Sequence, residues 1–168
     1  RSLAFSKDGM TFFIFNQGGS LLPRNYHSIK QYSLSSPFDL TNITLVTEYL
    51  GPGGQRSLNT HVGSFAQGLQ FNPDGTKMYI TESFGENIGE FTLSSPFDLT
   101  GNVTFEGVYS ASDEIDDLAA IIFNDDGMKM YLMDWKSGDG RGVHEYSLTC
   151  SYGVIKCLDP STNKDDVA

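Results

Sequence analysis

Ser-Ser-Pro-Phe-Asp-Leu-Thr stands at residues 35–41 and again, unchanged, at residues 94–100. Each copy follows an Asp-Gly pair and an apolar, aromatic run, and together they form a longer unit. The Asp-Gly pairs occupy residues 8–9, 74–75 and 126–127. One pattern that recurs about every 50 residues is the sequence signature of a repeat architecture. The repeat therefore determines the predicted fold.

Each unit predicts four short strands. An apolar run precedes Asp-Gly, which supplies a hairpin turn because glycine accepts the positive φ that such turns need. A second strand follows the turn, and alternating residues such as 88–93 predict a half-buried third strand. Pro37 and Pro96 then end the third strand at a corner, and a fourth strand follows. In the third unit, residues 150–157 fill that last position and predict a terminating cap. No segment predicts a helix, apart from a single turn or a loop at 113–120.

Four antiparallel strands in about 50 residues form the plan of a β-propeller blade. We therefore predict an all-β, β-propeller-like fold in a single repeat domain over residues 1–168. Three four-stranded antiparallel blades are expected at about 1–50, 65–110 and 118–158, with a C-terminal tail at 159–168. Closed propellers have about four to eight blades. Three blades are thus expected to stay open, or to be completed by oligomerisation or by missing repeats.

The second unit also carries a family resemblance. Its segment FNPDGTKMYI at residues 71–80 resembles the Pro-Asp-Gly, hydrophobic-Tyr stretch of YVTN-type and NHL-type propeller repeats. With the Ser-Pro-Phe-Asp-Leu-Thr corner it is similar to repeats of secreted and cell-surface proteins of aquatic microbes. The resemblance covers nearly the whole chain and implies propeller blades in an extracellular or cell-surface protein.

The charge balance bears on partners. The chain has 21 acidic against 11 basic residues and a net charge of -10. Nucleic acid and anionic membrane surfaces need clustered Lys and Arg, so the composition predicts neither as a partner. No apolar run approaches the ~18 residues of a membrane span. The chain begins at Arg1, which favours a processed chain or a piece of something longer.

The two cysteines, Cys150 and Cys157, are close enough in sequence for a small disulfide loop. Reduced thiols are the alternative, and a zinc site is disfavoured because no second cysteine pair exists.

Asn42 and Asn102 open two Asn-x-Thr sequons directly after the corner, where a glycan would project from the rim. An asparagine that simply finishes a turn is the alternative there.

An acidic stretch offers hard oxygen ligands. It contains Asp113, Glu114, Asp116 and Asp117 and is a candidate site for structural Ca²⁺. The spacing differs from that of an EF-hand loop, so a solvated acidic loop is the default. No other cofactor is predicted.

Catalytic patterns are absent from the sequence. Gly-x-Ser-x-Gly does not occur, and the three histidines share no spacing with an acid or a nucleophile. Trp135 is the candidate for contact with a ligand, because its ring could stack on a sugar. The alternative is that it covers a neighbouring sheet. Inserted segments at 16–27 and 50–64 are the first places to expect ligand or subunit contacts.

These observations predict no enzyme. The expected function is an extracellular structural or adhesive repeat subunit that self-associates into a ring, filament or surface coat. A propeller module that binds a glycan or a surface protein is the alternative, and a propeller-type hydrolase or lyase is the third.

Overall fold

The structure is a computed structural model that describes residues 2–16, 26–54, 57–135, 142–158 and 166–167. Most of the inserted segment at 16–27 lies outside the described residues. Of the predicted tail at 159–168, only residues 166–167 are described.

Three sheets follow one another along the chain. Sheet 1 contains β1 (Ser2–Phe5), β2 (Thr11–Asn16), β3 (Ser28–Leu34) and β4 (Ile43–Tyr49). Sheet 2 contains β5 (Ala66–Phe71), β6 (Lys77–Glu82), β7 (Asn87–Leu93) and β8 (Val103–Ser110). Sheet 3 contains β9 (Leu118–Phe123), β10 (Lys129–Asp134), β11 (Gly142–Ser147) and the two-residue β12 (Asp166–Val167). Two short helices are α1 (Ser57–Val62) and α2 (Val154–Cys157).

The prediction of an all-β protein built from antiparallel sheets is confirmed. Within each sheet every strand pairs antiparallel with the next one in sequence. The first strands of successive sheets also contact each other, β1 against β5 and β5 against β9. Within the described ranges the three sheets form no closed barrel or ring.

Helix α1 is absent from the sequence prediction. Its Leu58 and Val62 are four residues apart, so both lie on one side of the helix, and both are buried. They join the core between sheets 1 and 2. Six residues after a glycine-rich stretch are too few to show a helical period, which is why the segment was expected to be a loop.

Two apolar layers hold the sheets together. The first contains Phe13, Phe15 and Ile29 of sheet 1 and Met78, Ile80 and Phe91 of sheet 2. The second contains Tyr79 and Ile88 of sheet 2 and Met130, Leu132 and Tyr146 of sheet 3. Neighbouring residues of a strand point to opposite faces. Sheet 2 therefore packs against a neighbouring sheet on both faces, whereas sheets 1 and 3 each pack one face against sheet 2.

The corner after the third strand has the same geometry in all three units. Its aromatic residue has a positive φ, and its backbone N–H donates to the carbonyl of the Asp-Gly glycine. The pairs are Phe38 with Gly9 at 2.9 Å, Phe97 with Gly75 at 2.9 Å and Tyr152 with Gly127 at 2.8 Å. Tyr152 lies inside the cysteine loop, so the third unit keeps the corner although its sequence differs.

Candidate functional site

The last residue of the second strand carries a buried carboxylate in sheets 2 and 3. Glu82 ends β6 and Asp134 ends β10, and both side chains are buried. Glu82 Oε1 accepts a hydrogen bond from the backbone N–H of Phe65 at 3.1 Å. Asp134 accepts from the N–H groups of Asp116 and Asp117, each at 3.2 Å. Each carboxylate thus fixes the connection that enters its own sheet.

Glu86 lies beside these two carboxylates, in the turn between β6 and β7. Glu82 Oε2 accepts from Gly85 N at 2.8 Å, and the Glu86 carbonyl accepts from Ala111 N at 2.9 Å. The turn therefore joins sheet 2 to the connection that leads into sheet 3. Glu86 has a φ of 48°, a left-handed conformation that is uncommon outside glycine and found in some functional sites.

The surroundings of Glu86 raise the pKa of its carboxyl group. Only 8% of the residue is exposed, and burial is the largest cause of the shift. The negative charges of Glu82, Asp116, Asp117 and Asp134 add to it. No hydrogen bond to the carboxylate from another described residue opposes the shift. Glu86 therefore retains its proton to a higher pH than an exposed glutamate does.

We call these five residues, Glu82, Glu86, Asp116, Asp117 and Asp134, the acidic end. Three exposed aromatic residues lie at the same end of the sheets. The rings of Phe65 and Phe84 are 5.3 Å apart, and Trp135 directly follows Asp134. The backbone N–H of Trp135 donates to the Asp117 carbonyl at 2.8 Å, which fixes its position.

The calcium candidates have other roles in the described structure. Glu114 Oε2 accepts a hydrogen bond from the Tyr146 hydroxyl at 2.6 Å, and the backbone of Asp116 and Asp117 binds Asp134. No group of three or more His, Cys, Asp or Glu side chains in the described ranges is arranged to hold a metal ion. Asp113 and Glu114 do contribute negative charge near Tyr109, whose pKa is raised chiefly by burial.

The remaining predicted sites lie apart from the acidic end. A disulfide joins Cys150 to Cys157, with their Cα atoms 5.4 Å apart. Asn42 and Asn102 are exposed and directly precede β4 and β8. Glycosylation at these two residues stays a prediction.

A serine–histidine pair occurs on α1 but does not form a catalytic set. Ser57 Oγ lies 3.1 Å from His61 Nδ1, and the same nitrogen lies 2.5 Å from the Ser57 carbonyl oxygen. The Ser57 hydroxyl also donates to the Pro52 carbonyl. These contacts hold the helix and the segment that leads into it. None of them orients the imidazole through an acid, as a catalytic triad requires.

A cavity of about 350 Å³ lies at the opposite end of the sheets, near the Asp-Gly turns. Phe71, Phe123 and Tyr152 contribute to its wall. The Tyr152 hydroxyl donates to the Asp125 carbonyl at 2.7 Å, and Asn72 Oδ1 accepts from Lys77 N at 2.8 Å. These polar groups already serve the turns. We therefore place the candidate site at the acidic end, where the Glu86 carboxyl group accepts no hydrogen bond from another described residue.

Comparison with known proteins identifies the fold. A putative 6-phosphogluconolactonase from Bacteroides uniformis matches 99% of this chain with a TM-score of 0.55 and 15% identity. Another from Bacteroides fragilis matches 98% with a TM-score of 0.56 and 12% identity. A functionally unknown protein from Desulfotomaculum acetoxidans matches 98% with a TM-score of 0.54 and 16% identity. The chain spans 39%, 36% and 45% of these proteins, respectively.

No family model matches the chain, and no curated protein matches it significantly. The resemblance to YVTN-type and NHL-type repeats is thus without support from a family model. At 12–16% identity the structural likenesses show a shared β-rich fold.

The likenesses correct the predicted function. A non-enzymatic structural or adhesive subunit that assembles into a ring, filament or coat was expected, because no familiar catalytic motif occurs and three blades do not close a ring. That prediction is wrong, because the chain shares its fold with two proteins named for a hydrolytic enzyme. In the described ranges no helix is long and apolar enough to cross a membrane.

Sequence reasoning missed Glu82, Glu86 and Asp134. Their position in the repeat could have pointed to two of them. Aligning the Asp-Gly turns places Asn16, Glu82 and Asp134 at one position of the repeat. A carboxylate there in two of three units marks the end at which the acidic residues meet.

Proposed function

We propose that the three sheets are blades of a β-propeller and that this propeller is a hydrolase that opens a lactone or a similar cyclic ester. Glu86 is the observation that carries the proposal. The shared fold with the two Bacteroides proteins supports the class of reaction. The contacts among β1, β5 and β9 support the propeller arrangement, because first strands lie innermost around a propeller axis.

Glu86 suits general acid–base catalysis. Hydrolysis of a lactone adds water to the carbonyl carbon and transfers a proton to the ring oxygen as the ring opens. A carboxylate accepts the proton of the attacking water and returns it to the leaving oxygen. A raised pKa makes Glu86 a better proton acceptor than an ordinary carboxylate.

The charge of the acidic end bears on the substrate. Five carboxyl groups converge there in a chain whose net charge is -10. The net charge of the chain disfavours an anionic substrate and leaves an uncharged one unaffected. We therefore propose an uncharged lactone as substrate and not a phosphorylated one. The exposed rings of Phe65, Phe84 and Trp135 supply apolar faces on which a sugar ring could stack.

The test measures hydrolysis of δ-gluconolactone with and without the protein. A pH-stat records the acid that ring opening releases. We expect the protein to hydrolyse the lactone faster than the spontaneous rate. Glu86→Gln should lower this catalysed rate roughly 100-fold or more, the usual contribution of a general acid or base. The 6-phosphorylated lactone should react more slowly than the uncharged one.

Glu106→Gln is the matched control. Glu106 is on β8, where it pairs with Lys156 at 3.1 Å, away from Glu86. Its loss should leave the rate unchanged. Hydrolysis no faster than in buffer would refute the proposal, as would equal rates for Glu86→Gln and the unaltered chain.

A further inference from the structure

One position of the third strand receives the corner of the next sheet. In sheet 1 it is Gln31, whose Oε1 accepts a hydrogen bond from Leu99 N at 2.8 Å. In sheet 2 it is Glu90, whose Oε2 accepts from Val154 N at 2.8 Å and Ile155 N at 2.9 Å. Leu99 and Val154 follow the corner aromatic of the next unit by two residues. The same bond therefore links sheet 1 to sheet 2 and sheet 2 to sheet 3.

Sheet 3 has the same acceptor, and within the described residues no corner of a further unit contacts it. Glu145 occupies the equivalent place on β11, with 22% of its side chain exposed. It forms an ion pair with Lys129, just as Glu90 pairs with Lys77 at 2.5 Å. The lysine–glutamate ion pair of sheet 2 therefore recurs in sheet 3.

The apolar residues around this acceptor follow the same pattern. Four repeat positions form the face that each sheet turns toward the next sheet. In sheet 1 they are Phe13, Phe15, Ile29 and Gln31, and in sheet 2 they are Tyr79, Thr81, Ile88 and Glu90, all of them buried. In sheet 3 they are Tyr131, Met133, Val143 and Glu145, which we call the open face. Met133 is 38% and Val143 is 40% exposed.

The first unit shows the complementary half of the interface. Leu40 stands where Leu99 and Val154 stand in the other units. Leu40 is 49% exposed, whereas Leu99 is 4% and Val154 is 1% exposed. Burial of the corner thus depends on the sheet before it, as expected if each sheet covers the corner that follows.

We propose that the open face is a docking surface for a further four-stranded unit of this repeat. The corner of that unit donates its backbone N–H groups to the Glu145 carboxylate, and its second and third strands cover Met133 and Val143. The occupant is a repeat unit because the same interface occurs twice within this chain. This inference concerns assembly and is independent of the proposed hydrolysis.

The test adds such a unit to the whole chain. Residue 168 is followed by a copy of residues 111–117, which connect sheets 2 and 3, and then by a copy of residues 66–110. Hydrogen exchange is measured at the corner leucine of the added unit. Peroxide oxidation of Met133 is measured in the fused and unfused chains, a comparison that needs no substitution.

We expect the corner amide to exchange roughly tenfold more slowly than in a Glu145→Ala fusion, the effect of about one hydrogen bond. Glu145→Gln should retain the protection, because Gln31 accepts the same bond in sheet 1. Met133 should be oxidised more slowly in the fusion. Equal exchange in all three fusions, unchanged oxidation of Met133, or a second copy of the chain bound in place of the added unit would each overturn the proposal.

Discussion

The ring of Phe97 lies directly against the Cα of Gly75. A Cβ at Gly75 would lie closer than 3.0 Å to three atoms of that ring, and the φ of Gly75 is 74°. Phe97 N also donates to the Gly75 carbonyl at 2.9 Å. The turn and the corner, which are 22 residues apart in sequence, are therefore one packed unit.

Gly75→Ala should destabilise the protein by about 2–4 kcal/mol. A left-handed φ costs an L-residue roughly 1–2 kcal/mol, and displacing a packed ring adds roughly 1–3 kcal/mol. Urea unfolding measures the change. In a Phe97→Ala background the same substitution should cost only the backbone part, so the two changes should be strongly non-additive.

Gly54→Ala is the control for backbone strain. Gly54 has a φ of 95°, and a Cβ there would meet nothing within 4 Å. Its substitution should cost about 1 kcal/mol. A loss as large as that of Gly75→Ala would contradict a role for the ring.

The Asp-Gly turns and the alternating strands could be predicted because their causes are local. Thr76 N donates to Asp74 Oδ1 at 2.8 Å, two residues away, and glycine supplies the positive φ. The third corner was less visible, because its pairing of Tyr152 with Gly127 depends on a contact across 25 residues of sequence. Only alignment of the three units relates Tyr152 to Phe97.

The acidic end could not be located in the same way. Glu82 and Asp134 are fixed by backbone N–H groups of the connections that enter their sheets, and Glu86 gains its raised pKa from residues of two sheets. No local pattern encodes such convergence. Of the acidic end, the sequence singles out only Asp116 and Asp117, and it predicts a solvated loop there because acidic loops usually are solvated.

Glu90→Ala should cost roughly 3 kcal/mol or more. The buried Glu90 carboxylate accepts from Val154 N and Ile155 N and pairs with Lys77, so its removal leaves these groups without their acceptor. Glu90→Gln keeps one accepting oxygen and should cost less. Chemical unfolding of both variants tests this order.

Glu145→Ala is the matched control for Glu90→Ala. Glu145 has the equivalent lysine pair but a more exposed side chain. Its substitution in the unfused chain should change stability little. Similar losses for the two alanine variants would show that the lysine pair, and not the corner, is responsible.

Reduction of the Cys150–Cys157 disulfide should lower the free energy of unfolding by roughly 2–3 kcal/mol, the loop-closure effect for a short loop. The loop holds Tyr152 over Gly127, so the third corner should loosen first. Unfolding with and without dithiothreitol measures the change. Because the chain has two cysteines, a Cys150→Ser, Cys157→Ser variant should match the reduced protein and show no response to dithiothreitol.

Acid should destabilise the protein through His27. This side chain is buried between Phe15, at a ring distance of 5.6 Å, and the backbone at Gly63 and Ser64. Burial lowers the pKa of His27, although the nearby backbone carbonyls and Glu82 act in the opposite direction. Below about pH 6.5 the unfolded chain therefore binds a proton at His27 that the folded chain does not.

The free energy of unfolding should thus fall as the pH drops from about 7 toward the lowered pKa of His27. The slope from this one proton is at most about 1.4 kcal/mol per pH unit. Urea unfolding between pH 7.5 and 5 should show a steeper decline for the unaltered chain than for His27→Gln, which carries no titrating ring. His61→Gln, at a partly exposed histidine, should retain the decline of the unaltered chain. Parallel stability profiles for the unaltered chain and His27→Gln would contradict the assignment, because carboxylate titration is common to both.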